Sequence, residues 1–259
     1  MAADKKIPVG LQLYSLKDDC AGNLEGTVAK VAKMGYAGVE FAGYFDRSAK
    51  QVRKMLDDNG LACCGTHIKL QTLLGDELKK TVDFNLEIGN PYLIVPGLPE
   101  ENRSSIGAWK KTGDLFNTIA GRIRKDGLRV GYHNHTVEFA GMEGLIPYNV
   151  FFSATDKDVI MQLDAGNAAH GGGNVIATLK KYPGRTVTFH CKEYSAARPD
   201  AFVGEGDIPW SEAVKTCAGI GGTEWFIIEY ERPRGTPVEN VKVCLDNFTK
   251  ILKTAGIQP

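Results

Sequence analysis

Residues 127–138 read GLRVGYHNHTVE, and the reading of this stretch decides the fold. Gly127 closes a helical run that begins near Ser104 and reaches Asp126, as a glycine able to take the left-handed turn after a helix commonly does. A β-rich run follows at once, over residues 129–134. It ends in a knot of polar residues, Tyr132-His133-Asn134-His135, with Glu138 just beyond. The same unit recurs along the chain: a helix stop, a short strand, a polar strand end. Strand-like runs occupy 9–14, 38–41, 62–67, 92–95, 129–134, 159–163, 186–190 and 225–229, eight in all.

The intervening segments read as helices with legible ends. Leu24, Val28 and Val31 share one helical face and Gly35 follows as a stop. Ser48 is placed to cap the second helix and Gly60 to end it; Asp76 is placed to cap the third, with Gly89 after it. In the last helix Val241, Leu245, Phe248 and Leu252 lie four, three and four apart, before Gly256. Strands separated by helices are parallel strands joined by crossovers, and eight such units close a (β/α)8 barrel. A chain of 259 residues suits one barrel, and no linker or low-complexity segment divides it. The expectation is an α/β fold, a single (β/α)8 TIM-barrel domain over residues 1–259. An open doubly wound sheet is the rival, but six strands are more usual there, and no GxGxxG follows the first strand.

Composition narrows the function classes. Apolar residues make up 43% and charged residues 24%, with 31 basic and 31 acidic side chains. A neutral chain offers no broad field to nucleic acid or an anionic membrane, and no apolar run approaches the roughly 20 residues of a membrane helix. The six cysteines form no CxxC pair, so a thiolate zinc site is not expected, and Cys63 and Cys191 read as buried thiols. With no apolar leader in Met1-Ala2-Ala3-Asp4-Lys5-Lys6, the expected setting is cytoplasmic, or periplasmic if a leader has been removed.

In such barrels the active site lies at the C-terminal ends of the strands. Strand two ends in Val39-Glu40-Phe41, strand three in Thr66-His67, and strand six in Gln162-Leu163-Asp164. Strand seven ends in His190-Cys191-Lys192-Glu193, and strand eight in Glu229-Tyr230-Glu231. All five histidines, His67, His133, His135, His170 and His190, fall at such an end or in the loop after it. Histidines kept only for packing would not collect on one face. Crowded carboxylates at a barrel mouth repel unless something neutralises them. A divalent cation does so, and carboxylates with one or two imidazoles suit Mn, Mg, Co, Zn or Fe. For Glu40 and Glu231 the alternative is a plain strand-end salt bridge.

Further motifs are Gly35-Tyr36-x-Gly38-Val39-Glu40, Gly131-Tyr132-His133-Asn134-His135 followed by Glu138-Phe139, Asp164-x-Gly166-Asn167, His190-x-Lys192-Glu193 and Gly204-Glu205-Gly206-Asp207. With His67 and Glu229 in the same order, the chain resembles the xylose-isomerase-like barrel superfamily, and within it the sugar phosphate isomerases and epimerases. The resemblance runs from about Val9 to Leu252. It implies one metal held by a glutamate from strand five, an aspartate from strand six, a histidine from strand seven and a glutamate from strand eight. The last three fall on Asp164, His190 and Glu229. The strand-five position holds His133, so the expected fourth ligand is Glu138, with His133 or His135 as acid/base; His133 as the ligand is the alternative. Apurinic endonucleases of the superfamily, which hold three zinc ions, look to need a histidine three residues after the strand-six aspartate. This chain has Asn167 there, which argues against nucleic acid as a partner.

The resemblance implies a metal-dependent isomerase or epimerase acting on a keto sugar or related polyol. The chemistry is proton abstraction beside a carbonyl, through a metal-stabilised enediolate. Glu229 or a strand-five histidine would be the base, and Lys192 would donate to the developing oxyanion, unless it is paired with Glu193 or Asp164. Glu40, His67 and Glu231 are candidates to hold substrate hydroxyls. Trp109 would stack on a sugar face or pack in its helix. Lys69, Arg232 and Arg234 are loop cations, but no glycine-rich phosphate cradle appears, which favours a substrate without phosphate. Two rivals remain: a dehydratase or lyase acting on an inosose or 3-keto-glycoside, as in the related inosose dehydratases and keto-glycoside lyases, and a non-catalytic carbohydrate-binding barrel. The partner in every case is a small sugar-like molecule, with no membrane and with a homo-oligomer admitted.

Overall fold

The computed structural model describes residues 6–259; the first five residues of the N-terminal stretch read above lie outside it. The strands are β1 (Val9–Gln12), β2 (Gly38–Phe41), β3 (Ala62–His67), β4 (Tyr92–Val95), β5 (Arg129–His133), β6 (Ile160–Asp164), β7 (Thr188–Cys191) and β8 (Trp225–Ile228). Each pairs in parallel with the next, and β8 returns to β1, so the sheet closes into an eight-stranded barrel. This is the (β/α)8 barrel that the alternation of runs and stops predicts. β2, β3 and β4 have the expected bounds. β1 is shorter, because residues 13–16 wind into a 3-10 turn, and β6 runs one residue further, so that Asp164 is its last residue.

Among the described residues the outer ring holds α1 (Lys17–Met34), α2 (Ala49–Asn59), α3 (Glu77–Glu87), α4 (Ile106–Ile123), α5 (Pro147–Ala154), α6 (Ala165–His170), α7 (Val175–Lys181), α8 (Trp210–Thr216) and α9 (Pro237–Ala255). Their ends follow local chemistry. Ser48 and Gln51 form a reciprocal capping box on α2, and Gly60 ends it at φ +64. Thr236 and Glu239 do the same for α9. Asp76 does not cap α3: it already sits at helical φ −77 and ψ −19, so its side chain makes no cap bond. Within α1, Asn23 breaks the helix at φ −160, and its side chain accepts from Gly26 N. The predicted face of Leu24, Val28 and Val31 therefore begins at this internal cap, and all three are fully buried. No described helix is long and apolar enough to cross a membrane.

The barrel interior is divided along its axis. At the N-terminal end, Tyr92, Ile94, Ile160 and Val187 pack together with Trp225. A Cβ on Gly38 would meet the Trp225 ring at 2.9 Å, so glycine there makes room for that ring. At the C-terminal end the fill becomes polar, with Gln12, Glu40, Gln162, Thr188 and His190 all buried. All six cysteines are buried.

Candidate active site

Period-two alternation carries side chains from several strands to one place. Neighbours along a strand point to opposite faces, so Gln162 and Asp164 on β6 share the inner face, as do Thr188 and His190 on β7. β3 departs from this rule. Its register against β2 slips between Val39↔Cys63 and Glu40↔Gly65, a bulge of one residue. Gly65 takes φ +155, and a Cβ there would lie 2.5 Å from Glu40 Oε1. The bulge and the missing side chain together leave space for a carboxylate inside the barrel and turn His67 inward beside it.

Glu40 is the hub of the polar layer and is fully buried. Its carboxylate accepts from Gln12 Nε2 at 2.7 Å, Gln162 Nε2 at 2.7 Å and His190 Nε2 at 2.6 Å, with His67 Nε2 at 3.1 Å. Burial alone would raise its pKa, but the positive charge available on His67 and His190 prevails and holds it well below the usual carboxylate range. His190 feels the converse: burial opposes its charge, yet Glu40 and Glu229 raise its pKa to about 10. Burial holds His133 neutral, far below its ordinary range, and the nearby His190 and His67 push the same way.

Above this hub, one nitrogen or oxygen atom each from His133, Asp164, His190 and Glu229 lie within 4.8 Å of one another. His190 Nδ1 is 2.8 Å from Glu229 Oε2 and 3.8 Å from Asp164 Oδ2. Asp164 Oδ1 caps α6 by accepting from Asn167 N at 2.7 Å, while Oδ2 is buried with no hydrogen-bond partner. An orphaned buried acceptor costs about 1–3 kcal/mol, more when it is charged, and burial duly lifts the Asp164 pKa to about 6. Two imidazoles, two carboxylates and an unused oxygen aimed among them fit a divalent transition-metal ion. His67, His133 and His190 also lie close together, but His67 Nε2 and His133 Nδ1 both converge on Gln162 Oε1, at 2.8 and 3.1 Å, and are engaged there.

Two of the four residues, His133 and Glu229, line a cavity of about 860 Å³ at the barrel mouth together with His67, His135, Lys192 and Glu231, while Asp164 and His190 lie buried behind them. Lys192 pairs with Glu231 and lies 3.6 Å from Glu229. Burial opposes its charge, but Glu229, Asp164 and Glu231 outweigh that and keep it an ammonium. Glu193 is turned away from it, accepting from Trp210 Nε1 and Gly204 N and so latching the loop after β7. His135 is lowered below its ordinary pKa, chiefly by desolvation against the cavity wall, though part of the residue stays exposed to solvent. Lys69 and Arg232 stand at the cavity rim, whereas Arg234 pairs with Glu205 and covers the Phe202 ring.

Three expectations are corrected by position. Glu40 is not placed to hold a substrate hydroxyl: it is fully buried, hydrogen-bonded to His190, and does not line the mouth cavity. Trp109 cannot stack on a sugar: it is 1% exposed, packed edge-on against Tyr132 and Phe151 between α4 and the sheet. Glu138 is not brought to the four-residue group. Its oxygens accept from Tyr132 Oη at 2.5 Å and His135 N at 2.8 Å. Tyr132 points outward from β5, opposite to His133, and draws Glu138 to that side. His170 ends α6 and stacks on Tyr194, outside the group.

Gln12, Gln162, Thr188 and Asn134 also build the site, without a motif that assigns them a role in the sequence. Asn134 Oδ1 accepts from Asp164 N and ties the β5 end to β6. A signal for Gln162 existed: it lies two residues before Asp164, hence on the same inner face, in an otherwise apolar strand. The profile of a family described as xylose isomerase-like TIM barrel matches residues 28–250. The rhizopine catabolism protein MocC of Rhizobium meliloti is 22% identical, over 91% of this chain and 83% of its own. Inosose dehydratase of Erwinia tasmaniensis is 22% identical, over 82% and 84%. A crystal structure of a sugar phosphate isomerase/epimerase from Parabacteroides distasonis superposes with a TM-score of 0.79 at 25% identity, covering 92% of this chain and 96% of that one.

Proposed function

We propose that this chain, which belongs to the xylose isomerase-like TIM barrel family, is a divalent-metal-dependent enzyme that removes the proton beside the carbonyl of a keto sugar or related polyol and returns it as an isomerase or epimerase. The observation that carries this reading is the unpartnered, buried Asp164 Oδ2 among His133, His190 and Glu229, of which His133 and Glu229 line a cavity of about 860 Å³. His133, Asp164, His190 and Glu229 would hold the divalent ion, which when bound would supply the positive charge that polarises a carbonyl and acidifies the neighbouring C–H.

The chain's own residues supply the proton traffic. His135, neutral and on the cavity wall, takes the proton; Glu138 fixes the backbone that carries it. Lys192, held as an ammonium, donates to the oxygen on which charge develops. Opposed pKa displacements in two neighbouring groups are the usual mark of a base and an acid, and each such group is worth about 10²–10⁴ in rate. The ring of His67, fixed by Glu40 and Gln162, offers a contact for a hydroxyl. A second reading departs from the same first step: Lys192 protonates a leaving β-hydroxyl, giving dehydration. The inosose dehydratase relative favours it.

The test is turnover of keto sugars and inososes in deuterated water, with chelated and Mn-reloaded protein. Deuterium should enter at the carbon beside the carbonyl only when metal is present. An isomerised or epimerised product supports the first reading and a dehydrated product the second. Metal-dependent turnover with no deuterium in product would refute proton abstraction in favour of a hydride shift, and no turnover of any of them would leave a binding protein.

A further inference from the structure

The polar half of the barrel interior has a direction built into its hydrogen bonds. A carboxylate can only accept, so the end of Gln162 that lies 2.7 Å from Glu40 Oε1 must be its NH2 group. That same nitrogen is 2.9 Å from Thr188 Oγ1. Gln162 Oε1 is therefore turned the other way, 3.1 Å from His133 Nδ1 and 2.8 Å from His67 Nε2. A carbonyl oxygen can only accept, so both of these ring nitrogens carry hydrogen. An imidazole with its one proton on Nδ1 presents a bare Nε2, and with Nδ1 of His133 taken by Gln162, Nε2 is the nitrogen it can offer to the four-residue group. His190 is set by the same carboxylate. Its Nε2 donates to Glu40 at 2.6 Å, which leaves Nδ1 as the nitrogen turned toward Glu229 and Asp164.

We propose that Glu40 and Gln162 are a positioning pair that fixes a proton on the outer nitrogen of both imidazoles in the four-residue group, leaving His133 Nε2, and His190 Nδ1 once it gives up its proton, as the lone pairs for a divalent ion. The inference rests on the metal-dependent reading above only in assigning the lone pairs a use. Neither residue touches substrate; both act through the rings they hold. The arrangement explains why a glutamate is sealed inside the barrel, and why β3 is bulged at Gly65 to admit it. One carboxylate orients His190 directly and His133 through an amide that it forbids to flip. The partner of a ligating histidine's second nitrogen commonly fixes the tautomer in this way, and losing it weakens metal affinity about 10–100-fold.

Histidine ring tautomers can be read directly in metal-free protein by two-bond proton–nitrogen correlation spectra of ¹⁵N-labelled histidine. The native spectrum should show His133 protonated at Nδ1 and bare at Nε2. Gln162→Leu should release His133 into a tautomer mixture, and Glu40→Gln should disturb both His133 and His190. Both variants should bind Zn or Mn about 10–100-fold more weakly by calorimetry. Gln12→Leu, which removes a donor to Glu40 that meets no imidazole, should leave the tautomers as they are. A native His133 protonated at Nε2, or a tautomer unchanged in Gln162→Leu, overturns the proposal; if a variant does not fold, the native spectrum alone decides. Because the spectra are taken without metal, failure of metal binding or of turnover would sink the functional reading and leave the tautomer result standing.

Discussion

Asp164→Asn separates what the site costs the fold from what it does for a metal. The substitution keeps the shape of the side chain and an oxygen to cap α6 through Asn167 N, and removes only the charge. In the metal-free protein that charge is a burden: burial lifts the Asp164 pKa from the usual 3.8 to about 6, with the attraction of Lys192 and His190 already included. Such a rise corresponds to about 3 kcal/mol. The sign follows from the folded pKa lying above the unfolded one. The contribution is fully favourable below about pH 4 and is lost as pH rises through about 6. At about pH 8, chelator-treated Asp164→Asn should therefore be more stable than the native chain by up to about 3 kcal/mol, or roughly 6–12 °C in Tm for a chain of this size. At about pH 4 most of the difference should be gone. Adding Mn at about 100 times its Kd should then stabilise the native chain alone, by about 2.7 kcal/mol, and erase or reverse the order. Melting curves at the two pH values, with and without Mn, give all four numbers. An Asn variant that is no more stable at about pH 8, or that still gains from Mn, would refute both the burden and the ligand role.

Three other outcomes test neighbouring features. Glu138→Gln should leave the metal Kd unchanged and lower kcat about tenfold, since the backbone of His135 loses its anchor; loss of metal with kcat per bound metal preserved would return Glu138 to the ligand set. Gly65→Ala forces a Cβ to 2.5 Å from Glu40 Oε1 at a φ of +155, and should cost about 2–4 kcal/mol by denaturant unfolding; a neutral result would show that Glu40 has room to move. Metal binding should release about one proton at pH near 7.5, from His190, and approach two near pH 5, where Asp164 is also protonated. Calorimetric heats that do not change between buffers of different ionisation enthalpy would contradict this.

The barrel was legible because each strand is a short β-rich run bracketed by helix stops, and stops such as Gly60 and Gly127 adopt the left-handed turn that glycine favours. Asp164, His190 and Glu229 were legible because strand ends define the mouth and a period of two defines the inner face. What stayed hidden depended on departures from that period or on long-range partners. The extra residue in β3 changes which way His67 points, and nothing within residues 62–67 marks it except Gly65. Glu138 lies in a 3-10 turn of residues 137–139 whose direction is set by the outward hydroxyl of Tyr132. Trp109 is different, because its burial could have been read: Thr112, Phe116, Ile119 and Ile123 follow it at helical spacing and are buried with it.

Charge balance inside the barrel ties these features together and favours a divalent ion on grounds independent of kinship. Three carboxylates, Glu40, Asp164 and Glu229, are buried around one lysine and one charged histidine. Without metal the account closes with protons. Below about pH 6, His190 and Lys192 offset Glu40 and Glu229, and Asp164 leans toward its neutral form. For His190 to turn a lone pair toward the group it must give up its Nδ1 proton, and for Asp164 to bind through Oδ2 it must ionise. Two protons then leave, and only a charge of two restores neutrality in a medium where an uncompensated charge costs several kcal/mol. A monovalent ion would leave the layer negative by one. In the balanced state the charge that develops on a substrate oxygen is the new one in the cavity. Lys192, kept protonated beside Glu229 and open to the cavity, is the cation placed to meet it.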